Sequence, residues 1–294
     1  MPLTSGARYM LLSTLLFALM NVCVKLLSHL PPLEIILFRS IVSLVASYLL
    51  LRALRIRPWG SNHFYLISRG VTGVLSLILY FFTLQKMPLA TAVTIQYLAP
   101  IFTAVLGIFI VRENVRPWQW VFFLLSFVGV LVVEGVDTRV DPLYLALGVA
   151  SALFAGFSYN SIRKLKGKEN PMVVVFYLPM VALPVAAVYC LFDWVPPQNW
   201  DWLWLLLTGL LAQGAQLCLT KAYQAERLSS VANLNYLGIL YAVGLGLLFF
   251  NEAFPVAAYL GMALVLVGVV LNTWYTSRRP VVAAPVAPTE EGIA

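Results

Sequence analysis

An all-α membrane protein, with ten transmembrane helices arranged as two inverted five-helix repeats, is the fold this sequence calls for. Three observations carry that expectation. Residues 8–276 divide into ten consecutive apolar stretches separated mostly by short loops, and crossing a hydrocarbon core takes roughly 20 such residues in a helix. The chain is 61% hydrophobic and 11% charged, with a mean hydropathy of +0.88, whereas soluble domains carry about 25% charged residues. The second five stretches echo the first five.

The expected spans fall at 9–29, 33–51, 64–85, 88–111, 117–134, 142–162, 171–192, 201–223, 228–250 and 255–275. Span 1 is too long for a signal-peptide core and lacks a cleavage site before span 2, so it stays as a mature helix. Span 2 opens with Glu34, an anion where the helix dipole favours one. Pro88 opens span 4, where a missing N–H donor costs nothing. Pro100 lies within span 4, and Pro179 and Pro184 lie within span 7; each weakens local helix hydrogen bonding. Gly129 on span 5 and Gly261 and Gly268 on span 10 read as close-packing sites between the halves.

Charge reports topology. Alternate connections gather Arg8, Arg52, Arg55, Arg57, Arg69, Arg112, Arg116, Arg163, Lys164, Lys166, Lys168, Lys221, Arg227, Arg278 and Arg279 on one side. Lys86 and Arg139 fall on the other, and Lys25 and Arg39 lie inside helices. The positive-inside rule then makes both termini cytoplasmic, and a bacterial inner (plasma) membrane is the expected location. The net charge of +7 forms no basic face, so no nucleic-acid partner is expected. All eight Trp residues sit near expected helix ends, as interfacial belts require. Cys23, Cys190 and Cys218 show no CxxC spacing, so neither disulfide nor metal site is expected. Residues 277–294, rich in Pro and Ala, read as a disordered cytoplasmic tail.

A shift of 139 positions places Gln85 on Gln224, Tyr97 on Tyr236, Glu113 on Glu252 and Gly129 on Gly268 without a gap. Near the start the shift becomes 137, placing Phe17–Asn21 on Phe154–Ser158. The units are therefore 1–137 and 138–276. An odd number of spans per unit inserts the second upside down relative to the first. Inverted repeats place a binding site near the midplane, between halves whose alternative packings expose it to each side in turn.

The FALMN stretch of span 1, Met87-Pro88-Leu89-Ala90-Thr91-Ala92 opening span 4, Ala99-Pro100-Ile101-Phe102, and Glu113 and Glu252 before Gly-bearing spans occur in a characteristic order. In these features the chain resembles the drug/metabolite transporter superfamily, EamA type. Phe38-Arg39-Ser40 and Arg69-Gly70-Val71 are similar to the branch holding S-adenosylmethionine carriers and organic-anion relatives. Phe17 stands where many relatives carry Trp, and Ile239 is opposite Pro100. The resemblance implies a cavity among spans 1, 3, 4, 6, 8 and 9.

Lys25 and Arg39 lie about 8–9 Å below the same outer surface at 1.5 Å per residue. Either both face a cavity and an anionic substrate group, or both snorkel, or Glu34 neutralises one. Asn21, Tyr80, Gln96, Tyr159, Asn160, Gln213, Gln216, Asn233, Asn235 and Tyr236 lie deeper. Gln213, Gln216 and Thr220 share one helix face. These polar residues line a cavity or bond between helices. Gln96 and Asn235 occupy equivalent repeat positions. Glu113 and Glu252, at helix ends beside water, are assigned structural roles.

The expected function is secondary transport of small organic metabolites, amino acids or related carboxylate-bearing compounds, by alternating access. Its candidate substrate-binding residues are Asn21, Lys25, Arg39, Tyr80, Gln96, Asn160, Gln213, Gln216, Asn233, Asn235 and Tyr236. An S-adenosylmethionine or organic-anion exchanger is the alternative within the superfamily, and a non-transporting receptor or scaffold is the alternative outside it. An enzyme would need a nucleophile–base pair or metal ligands at depth, and no HExxH, GxSxG or Walker loop occurs. No cofactor is expected; the partners are a small-molecule substrate and the lipid bilayer, with monomer or homodimer left open.

Overall fold

The computed structural model of the 294-residue chain describes residues 5–110, 117–136, 141–225 and 237–277. Among them run α1 (Ser5–Leu26), α2 (Pro32–Ala53), α3 (His63–Lys86), α4 (Leu89–Gln96), α5 (Ala99–Ile110), α6 (Pro117–Val136), α7 (Pro142–Leu165), α8 (Pro171–Cys190), α9 (Asp201–Ala225), α10 (Leu237–Phe250) and α11 (Val256–Ser277). No described residue forms a strand. Seven stretches (α1, α2, α3, α4 with α5, α7, α8 and α9) are long and apolar enough to cross a membrane, and α6, α10 and α11 are apolar over shorter described lengths. Glu113 and the tail beyond residue 277 lie outside the described residues.

Local chemistry sets the helix ends. Asp141 and Asn170 each precede a proline, and their side chains accept the N–H of Leu143 and Met172 at 2.8 and 2.9 Å. Proline at the first helical position lacks a donor that would be orphaned there. The same residue type breaks the fourth span: α4 ends at Gln96 and α5 begins at Ala99. A proline ring clashes with the carbonyl four residues back, which for Pro100 is that of Gln96. The break therefore belongs to Pro100, and it lays irregular backbone at mid-span.

Packing between the halves repeats with the two units exchanged. α1 lies along α9 as α7 lies along α3, α2 meets α8, and α6 meets α11. The last contact is explicit at its glycines. A Cβ on Gly129 would come within 2.7 Å of the Gly261 O and Val265 N, and one on Gly268 would meet Phe122 O at 2.7 Å and Ser126 N at 3.0 Å. Every member of the second contact stands 139 positions from its counterpart in the first. As α6 advances from Phe122 to Gly129, the backbone it meets on α11 retreats from Gly268 to Gly261, so these equivalent helices run antiparallel. That is the inverted repeat, expressed as contacts.

The outer end, as assigned from the charge pattern, is tightly filled. Leu27, Leu30, Leu84, Met87 and Leu89 are buried in one cluster. Lys25 enters this layer, donating to Met87 O at 2.8 Å and pairing with Glu252, whose other oxygen accepts Leu89 N–H at 2.8 Å. Gln85 closes beside it, donating to Leu30 O at 3.0 Å. Glu252 is therefore not beside water, as its helix-end position suggested; it is 8% exposed and joins the loop after α10 to the start of α4. Glu34 forms an ion pair with neither Lys25 nor Arg39; one of its oxygens accepts Val195 N–H at 3.1 Å. At the opposite end Glu169 accepts the N–H of Ser61 and Asn62 at 2.6 and 2.7 Å. Burial alone would raise this carboxyl, but the hydrogen bonds from Ser61 and Asn62 hold it below the usual carboxylate range.

Two outcomes follow for stability. Removing one partner of a buried pair strands the other charge and costs about 3–5 kcal/mol, so Lys25→Ala and Glu252→Ala each lower the unfolding midpoint in detergent, with strong coupling in a double-mutant cycle. Gly129→Val forces α6 away from α11 and destabilises by about 1–3 kcal/mol; an unchanged midpoint contradicts the close backbone approach.

Candidate functional site

Below the outer layer lies a cavity of about 160 Å³, space for several waters or a small organic molecule. α1 brings Asn21, α2 brings Arg39, and α3 brings Arg69, Ser76 and Tyr80. The α4–α5 break contributes Gln96, Tyr97 and Pro100, α7 contributes Ser158 and Tyr159, and α9 contributes Gln216. Spans 1, 3, 4, 6 and 8 thus supply walls; the resemblance implied span 9 as well, whose described part, α10, contributes no wall residue. Arg39 on α2 and Leu178 on α8 add two helices outside that set.

The polar atoms of the wall hold one another in place. Ser151 donates to Gln96 Oε1 at 2.9 Å, which fixes that amide against α7. Arg69 donates to Ser158 Oγ at 2.8 Å and to Gln216 Oε1 at 3.4 Å. Gly73 lies against this guanidinium, where a Cβ would collide with it. Arg39 stands 5.9 Å from the Phe81 ring centroid, a favourable cation–π distance. Arg39 and Arg69 are 4% and 3% exposed, and they are close enough to repel each other. Among the described residues no carboxylate lines the cavity, and the ion pairs are Lys25–Glu252 and His29–Asp201. Both guanidinium Nε atoms and Asn21 Oδ1 are buried without a hydrogen-bond partner.

Five of the candidates from sequence meet here: Asn21, Arg39, Tyr80, Gln96 and Gln216. Three do not. Lys25 is held in the outer layer, so the structure parts it from Arg39 despite their equal depth. Asn160 donates to Thr103 O at 3.0 Å and Gly156 O at 2.9 Å, fastening α7 to α5. Gln213 donates to Ser47 Oγ at 2.8 Å, tying α9 to α2. Asn233, Asn235 and Tyr236 lie outside the described residues.

Arg69 is the residue that sequence reasoning misplaced. Counted among the loop cations, it is instead the seventh residue of α3, about 9 Å into the helix, and it faces the cavity. The depth argument applied to Arg39 was available for it. Tyr97 and Ser158 were also missed; Tyr97 is brought in by the Pro100 break, and Ser158 is a small residue that periodicity alone does not distinguish from packing.

Known proteins are similar along nearly the whole chain. The EamA-like transporter family matches residues 4–134 and again 142–274. The pseudopaline exporter CntI of Pseudomonas aeruginosa is 30% identical over 268 residues, covering 90% of this chain and 94% of that protein. The S-adenosylmethionine uptake transporter of Rickettsia prowazekii is 26% identical over 224 residues, covering 74% of each. A solved crystal structure superposes with a TM-score of 0.70 at 16% identity, covering 93% of this chain and 98% of that one, and shows the same fold. Two matched units spanning nearly the whole length settle the assignment: the chain belongs to the EamA-like transporter family.

Proposed function

We propose that the protein is a secondary carrier of small organic metabolites bearing an anionic group, amino acids or related carboxylate-bearing compounds, working by alternating access in a bacterial inner membrane with cytoplasmic termini. One observation carries the reading: two buried guanidinium groups face a cavity between antiparallel units and find no counter-charge there among the described residues. Charge inside a membrane span is expensive unless a partner or a wet cavity receives it. A bound carboxylate supplies that partner, and the planar guanidinium fork fixes its orientation. In this reading Arg39 and Arg69 bind the anionic group, Gln96 and Gln216 present amides, and Tyr80 supplies a ring and hydroxyl for positioning.

The units, 1–137 and 138–276, would pack in two related ways. In the described state Lys25, Glu252 and the apolar layer around Leu27 and Met87 cover the outer side of the cavity. Opening that layer while closing its counterpart across the pseudo-two-fold would expose the same residues to the other compartment. Exchange of S-adenosylmethionine is a second reading, supported by the uptake transporter relative; it requires the 160 Å³ cavity to widen around a larger molecule.

Uptake into proteoliposomes from a labelled amino-acid and metabolite panel tests the proposal. Saturable flux is expected, and Arg39→Ala, with folding preserved, should lower it at least about tenfold, the equivalent of 1.4 kcal/mol. Full flux in that variant contradicts the assigned role of Arg39. Binding without flux for every compound would favour a receptor or scaffold.

A further inference from the structure

We propose that the cavity takes a small dicarboxylate, with one carboxylate on Arg39 and the other on Arg69. This narrows the substrate class of the carrier reading and rests on it for passage across the membrane, while binding stands on its own. The argument is a balance of charge and donors. Each arginine has five N–H donors and no acceptor. Arg69 commits donors to Ser158 and Gln216; Arg39 has no hydrogen-bond or ion-pair partner among the described residues. The buried Nε of each is unpaired.

A monoanion, even one shared by both guanidinium groups, sets one negative charge against two positive ones and leaves a net charge in surroundings of low dielectric. Two carboxylates neutralise both, and each fits a fork in bidentate fashion. Arg39 and Arg69 come from consecutive helices, α2 and α3, and both face the same cavity, so one ligand can meet both. The walls also argue against a zwitterion: no described carboxylate lines the cavity to receive an ammonium group. Asn21 Oδ1, buried and unpartnered, is one neutral acceptor and does not balance an ammonium charge. A volume of about 160 Å³ admits a chain of a few carbons between the two carboxylates.

The test is thermal unfolding of the full-length protein in detergent at constant ionic strength, with millimolar succinate, monomethyl succinate, succinamide, alanine or inorganic phosphate. Succinate is expected to raise the midpoint in proportion to the logarithm of its concentration, with apparent affinity at least tenfold above each of the others. The shift should vanish in Arg39→Gln and in Arg69→Gln. Should a glutamine variant fail to fold, Arg39→Lys and Arg69→Lys keep the charge and lose the fork, and each should weaken apparent succinate affinity at least tenfold. Equal shifts from monomethyl succinate or alanine, a shift from phosphate alone, retained affinity in the lysine variants, or no shift from succinate, malate or glutarate overturns the assignment. Failure of the carrier reading is separable: succinate binding without uptake leaves the dicarboxylate site standing, whereas arginine-independent uptake of a neutral or zwitterionic compound sinks the site and keeps the carrier.

Discussion

Hydrocarbon offers no hydrogen bonds, so every polar group within a span must find its partner inside the protein. The interior of this bundle is organised by that demand. Gln213 reaches Ser47, Asn160 reaches Thr103, and Gln85 reaches the loop carbonyl of Leu30. Lys25 is matched by Glu252 and by a backbone carbonyl. These bonds join helices from different parts of the chain and so hold the bundle together. Arg39 and Arg69 are the described buried cations left without a matching anion, and they stand where the walls leave space. Two uncompensated guanidinium groups at one cavity mark that cavity as the place where a ligand of opposite charge is received.

Antiparallel duplication gives the site its position. The glycine contacts of α6 and α11 map onto each other through the repeat offset, so one end of the bundle is a rearranged copy of the other. Under the proposed alternating access, closures built from equivalent helices would exchange, and bistable packing can amplify a small change at a bound ligand into such an exchange. The halves are not identical, however. Pro100 stands at the break in the fourth span, where the second unit has Ile239, the third residue of α10. The broken span carries Gln96 and Tyr97 into the cavity, so this sequence difference between the units falls at the site itself.

Much of this was legible in the sequence. Apolar length located α1, α2, α3, α7, α8 and α9 within a few residues, because a span needs a fixed run of helix whatever it packs against. Five spans per unit predict the inversion, and the small residues Gly129, Gly261 and Gly268 predict the close contact between halves. Azimuth was less legible than depth. Lys25 and Arg39 share a depth, yet they point into different layers, and only the rotation of each helix in the bundle decides that. Gln213 and Gln216 share a face, but residues three apart on a helix are not superimposed, and that offset sends one to Ser47 and the other to the cavity. Arg69 was obscured by a different cause: counting cations by side of the membrane ignored how far into α3 it lies. Its neighbour in space, Ser158, comes from the other unit and is remote in sequence.

The central claim is that one chamber between the inverted units is open to each side of the membrane in turn. Thiol accessibility measures this directly. With Cys23, Cys190 and Cys218 replaced by Ala, a single cysteine at Leu77, in the cavity wall, is challenged with a membrane-impermeant maleimide from one side of oriented vesicles and then from the other. Labelling from both sides, slowed from each by a bound substrate, is the predicted result; labelling from one side only under every condition, or from neither, contradicts the account.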